Sequence, residues 1–139
     1  MPPRYVDTSH HVAVIDYRDA LHVRALRLAN ELGQSPANTF ITAEAVLIEL
    51  LTFFSNKGPY LRDQASAYVE RLRTSSPTII IPQTPVLFDA AFNLFRRRRD
   101  KTYSMVDCIG MVICKQQGIV DVLTADSDFT QEGFTILLD

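Results

Sequence analysis

Residues 104–126, SMVDCIGMVICKQQGIVDVLTAD, hold a complete helix-to-strand unit and two well-placed acids. Ser104 followed three positions later by Asp107 has the Ser-x-x-Asp form of a capping box, which predicts a helix over 104–117. Gly118 stands where a left-handed C-cap is needed, and Asp121 to Thr124 read as a short strand that runs out at Ala125 and Asp126. Strands separated by helices demand crossover connections, and these imply a mainly parallel α/β sheet covered on both faces.

The same alternation extends outward. Tyr5-Val6 starts a first strand, His11 to Ile15 a short helix, and Asp19 can cap a helix over Ala20 to Leu32 that Gly33 ends. Within that helix Leu21, Ala25, Leu28, Ala29 and Leu32 share one face, so it is expected to pack on the sheet. Thr39-Phe40-Ile41 reads as a strand, Thr42 as an N-cap, and Ala43 to Asn56 as a helix stopped by Lys57-Gly58-Pro59. A helical pattern covers Tyr60 to Arg73, a buried strand Thr78 to Ile81 lies between Pro77 and Pro82, and Pro85 opens a helix to Arg99. Phe134 to Leu138 is the last expected strand. With 139 residues, 47% of them apolar, and no repeat or linker, one domain over 1–139 is expected.

Charge and cysteine usage narrow the function classes. Sixteen carboxylate residues against 14 Lys and Arg make no general polyanion trap, so nucleic-acid contact would have to come from a local basic patch. Cys108 and Cys114 lie six apart in a helix, about 240° around its axis, and diverge, which argues against a disulfide or a zinc site. No charged-then-apolar leader opens the chain, and Glu49 and Thr52 interrupt the best apolar stretch, so no membrane span is expected and a reduced, cytoplasmic protein is.

Four carboxylates fall where this fold would gather them: Asp7 after Arg4-Tyr5-Val6, Glu49 inside Val46 to Phe54, Asp107, and Asp126. Three end a strand or open a helix, and so share the carboxyl edge of a parallel sheet. Glu49 sits in a run that is apolar nearly all round, which predicts a buried helix whose lone carboxylate needs a cation or a proton. Each acid has a structural alternative: a salt bridge for Glu49, the capping box for Asp107, turn and cap roles for Asp126 and Asp128, an N-cap for Asp7. Glu44 points about 140° away from Glu49 and suits the helix dipole instead. His22, alone on an amphipathic helix, reads as structural.

Taken in order, Tyr5-Val6-Asp7-Thr8-Ser9, Asp19-Ala20-Leu21-His22, Glu49-Leu50-Leu51, Tyr103-Ser104-Met105-Val106-Asp107-Cys108 and Leu123-Thr124-Ala125-Asp126-Ser127-Asp128-Phe129 resemble a PIN-domain protein of the VapC-type toxin ribonuclease family over nearly the whole chain. The resemblance implies a three-layer α/β/α sandwich in which an acidic quartet, Asp7, Glu49, Asp107 and Asp126, binds Mg²⁺ or Mn²⁺ and cuts RNA. Asp7 and Asp107 would ligate directly or through water, with Asp126 as a further ligand and Glu49 completing the shell or positioning the attacking water. Thr8, Ser9 and Ser104 would be polar helpers and Asp128 an outer acid that competes with Asp126 for the closest place. All-oxygen donors suit a hard cation, and His10, His11 and His22 show no ligand spacing with the cysteines. The resemblance also implies a homodimer and a small antitoxin, with Phe53, Phe54, Tyr60 and Leu61 as contacts or core.

Arg96, Arg97, Arg98 and Arg99, followed by Lys101, stand just before Tyr103-Ser104 and are candidate RNA phosphate contacts, or a solvated helix terminus. Tyr103 could stack on a base or pack at the helix entrance. Two other classes compete. A phosphoryl-transfer enzyme with Asp7 as nucleophile would carry a second acid two positions on, where Ser9 stands. A non-catalytic RNA- or protein-binding module of the same fold would use the acids only as caps.

Overall fold

The computed structural model describes residues 3–139. Its elements are β1 (Arg4–Val6), α1 (Thr8–Ile15), α2 (His22–Gly33), β2 (Phe40–Ala43), α3 (Glu44–Phe54), α4 (Pro59–Thr74), β3 (Ile79–Ile81), α5 (Pro85–Arg97), α6 (Met105–Gln117), β4 (Asp121–Leu123), α7 (Asp128–Gln131) and β5 (Thr135–Ile136). The strands form one five-stranded sheet in the order β3-β2-β1-β4-β5. Every pairing is parallel, with Tyr5 opposite Ile41 on one side and Val122 on the other.

That order creates a switch point. From β1 the chain steps outward to β2 and β3, then returns past β1 to lay down β4 and β5, so β1 and β4 are neighbours whose following helices depart differently. Open α/β sheets place ligand sites outside the carboxyl ends at such a point. In this sheet those ends carry Asp7 and the segment Thr124 to Asp126.

Alternation along β1 shows the layering. Tyr5 joins a core built with α5 and α6, among Leu87, Leu94, Ile109, Met111 and Ile113. Val6 instead borders a space shared with His10, His11, Ala29 and Tyr68 on the opposite face. A second core joins α1, α3 and α4 through Val12, Leu50, Phe54, Leu61 and Val69. The result is the expected α/β/α sandwich.

Several local expectations change. Thr42 lies inside β2 and caps nothing; its hydroxyl donates to the Val6 carbonyl and receives the His11 Nε2 proton, while Tyr68 donates to Nδ1. His11 is thereby a neutral structural residue, held down to about 3 by burial. Asp19 bonds the Leu21 amide in a turn ahead of α2 rather than capping the helix, Gly33 is its last residue rather than a left-handed cap, and α2 packs chiefly on α1. The isoleucine strand β3 is an edge strand with Ile79 exposed, and β5 is shorter than its apolar run. Residues 128–131 form a single helical turn where the sequence pattern predicts only a turn with caps. Among the described residues no helix is long and apolar enough to cross a membrane.

Candidate metal centre

The short strands deliver the acids by stopping where they do. β1 ends at Val6, so Asp7 takes an extended backbone at the start of α1 without capping it. Its buried Oδ2 accepts instead from the Thr124 hydroxyl at 2.9 Å. Thr124, just past β4, also accepts from the Asp126 amide, which leaves Ser9 to donate to Thr124 Oγ1 while accepting from the Ala125 amide. This one-way chain of hydroxyls fixes the Asp7 carboxylate between the two central strands.

Asp107 reaches the cleft from the first turn of α6. The capping box is real: Ser104 Oγ accepts from the Asp107 amide and Asp107 Oδ2 from the Ser104 amide. Asp126 likewise makes the turn expected of it, Oδ1 accepting from the Asp128 amide. Neither role uses up a carboxylate with two oxygens. One oxygen each of Asp107, Asp126 and Asp128 lies within 4.8 Å of the others.

Asp7 and the half-buried Glu49 of α3, with Thr8 and Ser9, line the same cleft of about 340 Å³ as Asp107 and Asp126. All four acids of the expected quartet therefore line one space, and the tightest trio adds Asp128. Asp19, whose sequence context suggests only a cap, also borders it. The helix bearing Glu49 is not buried all round: Ile48, Leu51 and Phe53 are exposed, whereas Phe54 and Leu61 are core.

Electrostatics favour a cation in this cleft. Burial pushes the Asp7 carboxyl up to about 7, the Asp107 charge adds to this, and the Thr8 amide and Thr124 hydroxyl oppose it. Asp107 is raised to about 6, first by burial and then by the charges of Asp126 and Asp128. Asp128 is raised by burial first and then by the Asp126 charge. Among the described residues none of the five acids forms an ion pair with Lys or Arg. Oxygen-only donors that repel one another and lack a basic partner fit a hard divalent ion. Thr8 Oγ1, buried on the cleft wall without a hydrogen-bond partner, adds a further polar atom.

The basic run is placed at the C-terminal end of α5. Arg96 lies over the Phe92 ring at 4.6 Å, Arg97 bonds the Asn93 carbonyl, Arg99 is exposed and Lys101 sits 3.4 Å from Asp100. Arg98 pairs with Glu132, which also accepts from Lys115 and from the Tyr103 hydroxyl. Tyr103 is thus buried packing at the entrance to α6. Arg98 holds the Glu132 carboxyl down to about 2, against burial and with help from Lys115. Glu132 has no signal in the local sequence, because its partners lie 34, 29 and 17 residues away.

The PIN domain family model matches residues 4–134. The chain is 27% identical over 130 residues, 94% of each chain, to the 23S rRNA-specific endonuclease VapC20 of Mycobacterium tuberculosis. The crystal structure of M. tuberculosis VapC20, described as a sarcin-ricin loop cleaving toxin, superposes with a TM-score of 0.82 at 27% identity, covering 94% of this chain and 95% of that one. VapBC2 of Rickettsia felis, bound to a DNA fragment from its promoter, shares the fold at a TM-score of 0.67 and 14% identity, over 97% of each chain.

Proposed function

Because this chain belongs to the PIN-domain family, we propose that it is an endoribonuclease, a single domain over 1–139 that hydrolyses RNA phosphodiester bonds with Mg²⁺ or Mn²⁺ held by Asp7, Asp107 and Asp126. The observation that carries this reading is the meeting of Asp7, Glu49, Asp107 and Asp126, drawn from four segments, in one cleft at the switch point. The likeness to an rRNA endonuclease over 94% of both chains supports RNA as the substrate class.

The cation supplies Lewis acidity and a lowered pKa for water. Everything else falls to side chains. Glu49, which lines the same cleft as Asp7 and Asp107, is the group we assign to take a proton from the attacking water. Thr124 and Ser9 hold Asp7 in one rotamer, and Ser104 holds Asp107. Thr8, its hydroxyl uncommitted, is the group we assign to a phosphate oxygen or a ligand water. Asp128 sits close enough to exchange places with Asp126. Arg96, Arg97, Arg99 and Lys101 bind flanking phosphates, whereas Arg98, committed to Glu132, anchors the segment.

In this reading the protein is the toxin of a toxin–antitoxin pair, acts in the cytoplasm and forms a homodimer. The antitoxin would cover the exposed Ile48, Leu51 and Phe53 of α3 together with Tyr60, since Phe53 borders the acidic cleft and a bound arm could run from this apolar face into it. The test is cleavage of a labelled RNA with Mg²⁺, with Mn²⁺ and with EDTA, for wild type and Asp7→Asn. Cutting that needs the metal and disappears in Asp7→Asn supports the nuclease. Equal cutting in EDTA and in the variant rejects it, and no cutting by any sample favours a binding module.

A further inference from the structure

On the face of the sheet away from the Tyr5 core lies a cavity of about 330 Å³, walled by Val6, Ala29, Phe40, Leu72 and Leu123 with the ring of His10 among them. That volume falls within the roughly 300–1,000 Å³ of small-ligand pockets. The exposed Gly33 and Pro77 belong to its lining, so it opens to solvent between the end of α2 and the approach to β3. It shares no lining residue with the acidic cleft.

Most polar groups in the lining are already engaged. Tyr68 and Thr42 hold the two nitrogens of His11, and the Ser76 hydroxyl donates to Thr78 Oγ1 while accepting from the Thr78 amide. His10 differs. It is only 3% exposed, yet its Nδ1 is enclosed without a hydrogen-bond partner among the described residues. Burial holds its pKa down to about 4, so at neutral pH the ring is uncharged, with one nitrogen donating and the other accepting. Leaving such a group unsatisfied is costly, and an apolar side chain of similar size would avoid the penalty.

The lining also defines what would fill the space. It contains no Lys, Arg, Asp or Glu, so a charged guest would lose its hydration and meet no counter-charge. The rings of Phe40, Tyr68 and His10 favour a flat aromatic guest over a flexible chain. The unpaired imidazole nitrogen calls for a guest with a hydrogen-bonding edge. We propose that this cavity is a binding site for a small uncharged aromatic heterocycle, about the size of a fused ring pair, hydrogen-bonded to His10. Val6, His10 and Leu123 adjoin Asp7, Ser9 and Thr124 in the chain, so the guest packs directly behind the segments that carry the hydroxyl chain.

The test is independent of whether the acidic site hydrolyses RNA. Indazole, neutral and with an N–H beside an acceptor nitrogen, is the probe; indene, the same shape without either, is its control. Each is titrated into the isotope-labelled full chain in EDTA at neutral pH, and the amide and methyl resonances are followed. Indazole should give saturable shifts at Ala29, Leu72 and Leu123, indene should bind about tenfold more weakly, and the flat but charged benzoate should not bind. His10→Leu keeps apolar bulk and should bring indazole down to the affinity of indene, with indene itself within about twofold of wild type. Ala29→Leu, at a half-buried position of α2, fills the cavity and should abolish binding of both. Indazole that binds no tighter than indene to wild type, equal losses of both in His10→Leu, binding that survives Ala29→Leu, or shifts confined to residues outside the cavity would each overturn the proposal. The amide spectrum shows whether each variant is folded, and the comparison of the two probes on wild type decides even if one is not.

Discussion

Asp7 is a carboxyl group whose surroundings oppose its own charge, and this makes its titration visible in stability. Its folded-state pKa of about 7 lies above the ordinary value near 4, so the stability it contributes is complete below about pH 4 and is lost as pH rises through 7. That displacement corresponds to roughly 4 kcal/mol as an upper bound. In EDTA, Asp7→Asn should be more stable than wild type at pH 8 and about equal at pH 4, read from urea melts; a constant difference at both pH values would refute buried charge as the cause. The hydroxyl chain makes a second prediction. Thr124→Val leaves the Asp7 oxygen and the Asp126 amide without their partner and should cost about 1–3 kcal/mol, while Thr124→Ser should recover most of it. If both variants melt alike, the hydroxyl is not what matters. Asp7, Asp107 and Asp126 stand out residue by residue, since strand ends and helix starts are marked in the sequence, whereas Glu49 stands out as the lone carboxylate in an apolar run. The partner that orients Asp7 does not, because it stands 117 positions away.

Helices and strands in this protein are set by their glycines and caps as much as by apolar stripes. Gly110, in the middle of α6, lies against the buried Tyr5 ring: a Cβ there would meet Cε2 at 2.8 Å and the phenol oxygen at 3.0 Å. The ring has no room to retreat in the core between β1 and α6, so Gly110→Ala should lower stability by about 1–3 kcal/mol despite its better helix propensity. A gain on thermal melting would mean that α6 can slide. Ser104→Ala removes half of the capping box and should cost about 1 kcal/mol in the same measurement, and it frees Asp107 to leave the cleft. The sequence named this cap, the left-handed Gly118 and the helix over 104–117 because their signals are local. It misjudged α3 and β3, whose apolar runs read as buried. Apolarity records that a face resists water, and Ile48, Phe53 and Ile79 nevertheless remain largely exposed on the surface.

For the molecule as a whole, a ligand that binds only the folded state adds stability by mass action. Mn²⁺ or Mg²⁺ at about a hundred times its dissociation constant should add roughly 3 kcal/mol. The gain should be larger at pH 8 than at pH 6, because protons on Asp7 and Asp107 compete with the ion below their pKa values of about 7 and about 6. Calorimetry with the metal and with EDTA measures this, and a metal effect equal at both pH values would place the ion elsewhere. By itself the sequence determined the class of fold and the order of most elements, and it pointed to four acids that line one cleft, since helix periodicity, caps and strand runs are short-range physics written into adjacent residues. The strand order β3-β2-β1-β4-β5, the hydroxyl chain onto Asp7, the gathering of Asp128 with Asp107 and Asp126, and the hub at Glu132 were decided only in three dimensions. These depend on pairings across many tens of residues, and their free energies exist only once the chain has closed on itself.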